Sequence, residues 1–178
     1  MPPLRRDITL APLKLDHAQA MYGWMLDPQV SINIGLRSEP SPEKTRAWIE
    51  NAARDPSVRA FAIAQVGKHI GNVVLDRIDA HLHTARLSIY IGEVSARGSG
   101  AGMTAVFLAA ETGFGEMKLN KIWLTVHEHN APAIAAYGRV GFIVEGVLRD
   151  EFMLDGKPIA ALYMGLLRAD FERIRGGA

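Results

Sequence analysis

The apolar positions of this chain recur at two periods, and the places where the period changes predict its elements. Residues 8–13 alternate apolar and polar, the pattern of a half-buried strand. Ala20, Met21, Trp24 and Met25 then fall at helical spacing, which predicts a helix capped by Asp16 and ended at Asp27-Pro28. Residues 37–42 are polar and proline-rich and read as a loop between helices. Ser41 caps a second helix, with Pro42 at its first position and Lys44 where a capping box would place an acid. Ala47, Trp48 and Ala52 supply its apolar stripe.

Three strands follow. Residues 60–66 and 69–76 flank Gly67-Lys68, a hairpin signal, and residues 82–91 place Leu87, Ile89 and Ile91 on one face. The period changes again at Gly100. Met103, Val106, Phe107, Ala110, Phe114 and Met117 repeat at helical intervals. Ile122, Leu124 and Val126 alternate as a strand, residues 131–140 form a short helix, and residues 142–149 and 160–167 are strands around the turn Asp155-Gly156. The order is strand, helix, helix, three strands, helix, strand, helix, two strands. It predicts a mixed α/β layer with helices packed on a sheet. The crossover across residues 85–127 predicts one locally parallel pair.

Composition narrows the picture. The 178 residues suit one domain, residues 1–178, with a sizeable core. A net charge of +1 gives no sign of a nucleic-acid or membrane surface. With no cysteine, disulfides, thiol nucleophiles and thiolate zinc sites are excluded. The start, Met-Pro-Pro-Leu-Arg-Arg-Asp, has no apolar run behind it, and no stretch approaches a bilayer span, so a cytoplasmic location is expected.

Two constellations carry chemistry. Arg97-Gly98-Ser99-Gly100-Ala101-Gly102 sits between a predicted strand and a predicted helix. Glycines there let successive N–H groups converge on an anion at the positive end of a helix. Taken alone, the segment is equally a plain turn. It lacks the Gly-Lys-Ser/Thr ending of a P-loop, and its last glycine comes one residue early for a dinucleotide fingerprint. The second constellation is Asn130-x-x-Ala133-x-x-x-Tyr137-x-x-x-Gly141-Phe142. Asn130 is a good N-cap, Pro132 lies in the first turn and Gly141 ends the helix. Alone, this reads as a short capped helix with Tyr137 half-buried.

Taken together, the constellations resemble the GNAT superfamily of N-acetyltransferases. Its cofactor signature, Arg/Gln-x-x-Gly-x-Gly/Ala, falls on Arg97, Gly100 and Gly102, and its next motif on Asn130, Ala133, Tyr137, Gly141 and Phe142. Glu145-Gly146-Val147-Leu148-Arg149 with Asp155-Gly156-Lys157, and Ile91-Gly92-Glu93, resemble the branch holding RimJ/RimL-type, spermidine and nucleotide-sugar amine acetyltransferases. The resemblance implies a mostly antiparallel sheet of about seven strands, with one parallel crossover and about four helices. It implies acetyl-CoA as co-substrate and no metal. The pyrophosphate would lie on Arg97, Gly98, Ser99, Gly100, Ala101 and Gly102. The pantetheine arm would run along Tyr90, Ile91 and Gly92, with Asn130 nearby. The amine would attack directly, and Tyr137 would donate to the leaving thiolate, whose thiol pKa is roughly 8.5. An oxyanion contact is expected from a backbone N–H near Ile91.

The acceptor side is less patterned. It is expected from residues 30–40 and 155–158, with Arg37, Glu39 and Trp48 as guesses and Trp24 and Trp48 more readily core residues. Glu93, Glu128, His127 and His129 are candidates for the base, and Asp76 and Asp79 stand at a hairpin end. His127-Glu128-His129 is a poor metal site, because adjacent strand residues point apart. The acceptor class stays open among a protein N-terminus, an amino sugar and a polyamine, the last disfavoured by few carboxylates across residues 31–43. A non-catalytic acyl-CoA sensor is the alternative function, and a homodimer is the expected assembly.

Overall fold

The computed structural model describes residues 2–154 and 156–177. β1 (Ile8–Pro12) leads through a 3-10 turn, Leu15–His17, into α1 (Ala18–Met25). α2 (Pro28–Asn33) and α3 (Pro42–Arg54) follow. Then come β2 (Arg59–Gln65), β3 (Lys68–Asp79) and β4 (Thr84–Ile91). A second 3-10 turn, Val94–Ala96, precedes α4 (Ala101–Gly115). The chain closes with β5 (Lys121–His127), α5 (Ala131–Val140), β6 (Ile143–Leu154), β7 (Lys157–Leu167) and α6 (Arg168–Gly176). The strands form one seven-stranded sheet in the order β1-β2-β3-β4-β5-β7-β6. All its pairings are antiparallel except β4–β5.

Several local expectations are revised. Asp16 is not a cap; it lies inside the 3-10 turn, and α1 starts from His17 with no side-chain cap. Asp27-Pro28 does end α1, but it also starts α2, because the Asp27 carboxylate accepts from the Gln29 N–H at 2.9 Å. Ser41 caps α3 as expected, accepting from the Lys44 N–H. The buried stripe of α3 is Thr45 and Ile49, whereas Trp48 is 42% exposed. The β2–β3 turn is Val66-Gly67, both at positive φ, one residue earlier than read. β6 and β7 extend further toward their shared turn than the alternation indicated, and Asp155 lies outside the described residues.

The main core lies between the sheet and α4, α5 and α6. α4 is buried almost all round, so it reads as a central helix and not a surface one. Leu87, Ile122 and Leu124 face it from the strands. A smaller cluster of Ala18, Met21 and Ile49 joins α1 to α3. α6 was not expected from the sequence. It packs Phe171 between Phe107 and Phe114, at ring distances of 4.9 and 5.2 Å. Arg168 tethers its start by donating to the Leu119 carbonyl at 2.8 and 2.5 Å. Phe171→Ala should therefore cost about 3–5 kcal/mol of stability. Urea unfolding followed by circular dichroism measures this; a loss under about 1 kcal/mol would show that α6 is peripheral to the core.

Candidate active site

β4 and β5 pair only from Thr84 to Arg86 and from Lys121 to Trp123, and then they part. The gap opens into a cleft of about 1200 Å³. Ile89, Tyr90 and Ile91 line one wall and Thr125, Val126 and His127 the other. Parting strands leave backbone groups without a ladder partner, which a bound extended ligand can satisfy.

At one end of the cleft lies the glycine-rich segment. Gly98 and Gly100 have φ of 70° and 86°, a region costly for residues with a Cβ. This backbone turns the chain into α4 with Gly100 as its N-cap. Among the described residues, the N–H groups of Gly98, Ser99, Gly100, Gly102 and Met103 have no hydrogen-bond partner. A Cβ at Gly98 would meet nothing within 4 Å, so Gly98 faces open space. Five free donors at the positive end of a fifteen-residue helix suit a diphosphate. Ala101 is fully buried, and its N–H reaches the Ser99 hydroxyl at 3.4 Å.

Arg97 does something other than add charge to the cradle. Its guanidinium donates to the carbonyls of Ile91 and Gly92, each at 3.0 Å. It also binds Gln29 at 2.9 Å and forms an ion pair with Asp27 at 2.7 Å. It thus ties the start of α2 to the end of β4. The Gly92 N–H is likewise committed, donating to the Ile70 carbonyl. Gly92 has a separate reason to be glycine: a Cβ there would stand 1.9 Å from the Trp24 ring.

Arg5 was not singled out in the sequence. It lines the cleft mouth and donates to the Ser99 carbonyl at 3.1 Å. Asp7 holds it in a two-point ion pair, and this pairing keeps the Asp7 carboxyl down at about 2. A fixed cation therefore stands beside the cradle. No local pattern signals this, since Arg5 and Ser99 meet only through the fold.

Tyr137 projects from α5 into the cleft, half-buried, with its ring 5.9 Å from Phe142. No described residue hydrogen-bonds its hydroxyl. Burial raises its pKa to about 12, so it stays protonated and able to donate. Asn130 caps α5 through Ala133 and lines the cleft. Tyr90 lines the cleft while its hydroxyl accepts from the Asn72 amide at 2.6 Å, and Asn72 Oδ1 meets His69 Nε2 at 2.9 Å. Burial raises the Tyr90 pKa to about 12. Trp24 packs edge-on against Tyr90 and His69.

Other candidates fall elsewhere. Arg37 and Glu39 are exposed, and neither they nor Trp48 line the cleft; the parts of residues 30–40 that do are Val30, Ile32 and Asn33. Asp76 forms a two-point pair with Arg86, and Asp79 accepts two backbone N–H groups of its turn. Glu93 pairs with Lys68. His127 is buried, whereas His129 is exposed and lies 3.4 Å from Glu128.

The family model of the acetyltransferase (GNAT) domain matches residues 7–143. Spermidine N(1)-acetyltransferase of Escherichia coli (strain K12) is 32% identical over 175 residues, covering 95% of this chain and 90% of that protein. L-amino acid N-acetyltransferase AaaT of the same organism is 26% identical over 145 residues, covering 79% and 86%. The crystal structure of spermidine N-acetyltransferase from Vibrio cholerae in complex with CoA and spermine superposes with a TM-score of 0.89 at 22% identity, covering 94% of this chain and 99% of that one. The seven-stranded sheet with its single parted parallel pair, the cradle at the head of α4 and these matches lead to one statement: the chain belongs to the GNAT acetyltransferase family and is an acyltransferase.

Proposed function

We propose that this protein transfers the acetyl group of acetyl-CoA to a primary amine by direct attack, with both substrates bound in one cleft. The observation that carries the reading is a single cleft holding a cradle of free N–H groups at one end and the protonated hydroxyl of Tyr137 on its wall. The V. cholerae neighbour was crystallised with CoA, which supports the same donor here. Arg97, Gly98, Ser99, Gly100, Ala101 and Gly102 would frame the pyrophosphate, mostly through backbone N–H groups. Arg5 adds the charge that Arg97 directs elsewhere. Ile91 offers backbone along the parted edge, beside Tyr90 and Gly92. Tyr137 supplies a hydrogen bond or a proton to the departing sulfur, since its raised pKa keeps it neutral at working pH.

The acceptor side favours an amine carried on a small or apolar body, such as a protein N-terminus or an amino sugar. Tyr90, Phe152 and Ile159 border it, and no described residue lining the cleft is Asp or Glu. A polyamine presents several ammonium groups, and binding these without carboxylates would leave charges unpaired. Three relatives bear the name spermidine N(1)-acetyltransferase, so spermidine belongs on the test panel. We take residues 1–178 as one acetyltransferase domain.

A homodimer is the proposed assembly. β6 is a sheet edge, and Ile143, Val144, Val147 and Met153 are exposed along it. A V. cholerae spermidine acetyltransferase is described as dodecameric. A cytoplasmic setting fits a CoA donor; among the described residues no helix is long and apolar enough to cross a membrane.

Thiol release from acetyl-CoA over a panel of a free-N-terminus peptide, glucosamine and spermidine tests the activity. Release on the first two above spermidine is expected, while acetyl-CoA binding with no release on any amine would leave a sensor. Gly100→Val forces a β-branched side chain into positive φ and should weaken acetyl-CoA binding by about tenfold or more, read by titration calorimetry. Tyr137→Phe should lower turnover by about tenfold or more with little change in acetyl-CoA affinity; unchanged turnover removes the hydroxyl from the chemistry. Light scattering should give twice the chain mass, falling to one with Val147→Lys and Met153→Lys together.

A further inference from the structure

An alkyl ammonium has pKa near 10 and an α-ammonium near 8, so the acceptor must lose a proton before its nitrogen can attack. The cleft holds few groups able to take it. No described carboxylate lines it. Tyr90 and Tyr137 both keep their own protons. The histidines His127 and His129 remain.

His127 is the last residue of β5, on the far lip where the strands part. Side chains alternate along that strand. Ile122, Leu124 and Val126 face α4, so His127 faces the other side of the sheet. The same alternation on β4 puts Ile89 and Ile91 toward α4 and Tyr90 on the face of His127. The cradle opens at the head of α4, so donor and acceptor would enter from opposite faces. His127 is 9% exposed, its Nε2 is buried, and no described residue hydrogen-bonds that atom. An unpartnered buried ring nitrogen is uncommon in a folded protein and needs a reason. The ring lies 4.5 Å from the Phe152 ring, reached from the β6–β7 hairpin.

We infer that His127 is the general base, the group that receives the proton of the acceptor ammonium before attack. This rests on the acetyltransferase reading above. In the balanced step, R–NH₃⁺ gives one proton to the imidazole. The freed lone pair forms the C–N bond to the acetyl carbon, the C–S bond breaks, and sulfur leaves with its electron pair. The nitrogen's second proton replaces the one Tyr137 gives to sulfur. The imidazolium returns its proton to water, so the sum is acetyl-amide, free thiol and one proton.

The surroundings suit a base that rests neutral. Burial, with a smaller push from His129, lowers the imidazole pKa. Tyr90 on β4 shares its face of the sheet, and Glu128 and His129 follow it just beyond β5. From β6 and β7 the neighbours Phe152, Ile159 and Ala161 are uncharged. His129 is a weaker candidate, because its side chain is 68% exposed and lies beside Glu128.

The test compares wild type, His127→Gln and His127→Ala with a free-N-terminus peptide and with glucosamine. Wild-type kcat/KM should rise with pH through an acid limb below the ordinary imidazole value of about 6.5 and then level. Both variants should lose about a hundredfold at pH 7, with the gap closing as pH approaches the amine pKa. Acetyl-CoA affinity by calorimetry should be unchanged, and added imidazole should restore part of the His127→Ala rate. A uniform loss at every pH without imidazole rescue, or a wild-type profile in His127→Gln, overturns the assignment of His127. No thiol release by wild type on any amine overturns the acetyltransferase reading itself, and the base with it.

Discussion

Two parallel strands that stay paired for only three residues are the constraint on which this structure turns. β4 is held along its outer side by β3, and β5 by β7, so neither strand can swing back to close the gap. The sheet therefore carries a permanent wedge. Its lips are backbone that would otherwise be laddered, and buried backbone without a partner is costly. Each nearby feature answers that cost or uses it. Arg97 covers two carbonyls at the end of β4, α4 begins where the wedge opens, and α5 forms its far wall.

The charge arrangement follows from the same wedge. Cations gather at the mouth, where Arg5 stands against Ser99 and Arg139 lines the rim. Deeper, the groups are neutral. Tyr137 and Tyr90 are desolvated enough to hold their protons, and burial disfavours a charged His127. A polyanionic donor would meet charge and free dipoles first, and its uncharged reactive end would meet neutral donors and acceptors.

Much of this was legible because it is local. The period change at Gly100 located α4, Asn130 and Gly141 bracketed α5 to the residue, and alternation together with turn signals found all seven strands. Residues of the two spaced motifs come together on the lining of one cleft. The unread parts depend on distant contacts or on weak local signals. α2 is six residues long, too short to show a period. α6 is mostly charged, and only Phe171, meeting rings far back in the chain, makes it a core element. Arg5 has no signature except the loop it reaches. Trp48 misled because a large apolar residue on a helix suggests burial, yet Thr45 and Ile49 face inward. Arg97 matched its motif, but its partner Asp27 lies 70 positions away, and so its role as a brace was invisible.

That brace has a consequence for binding. Arg97 adjoins the glycine-rich turn by its backbone position and holds the start of α2 by its side chain, through Asp27 and Gln29. Stiffening one end of such a link stiffens the other. By thermodynamic reciprocity, any factor by which a bound donor changed acceptor affinity would be the factor by which a bound acceptor changed donor affinity. Such a coupling favours neither substrate as the first to arrive, and it would rest on a single guanidinium and not on any gate.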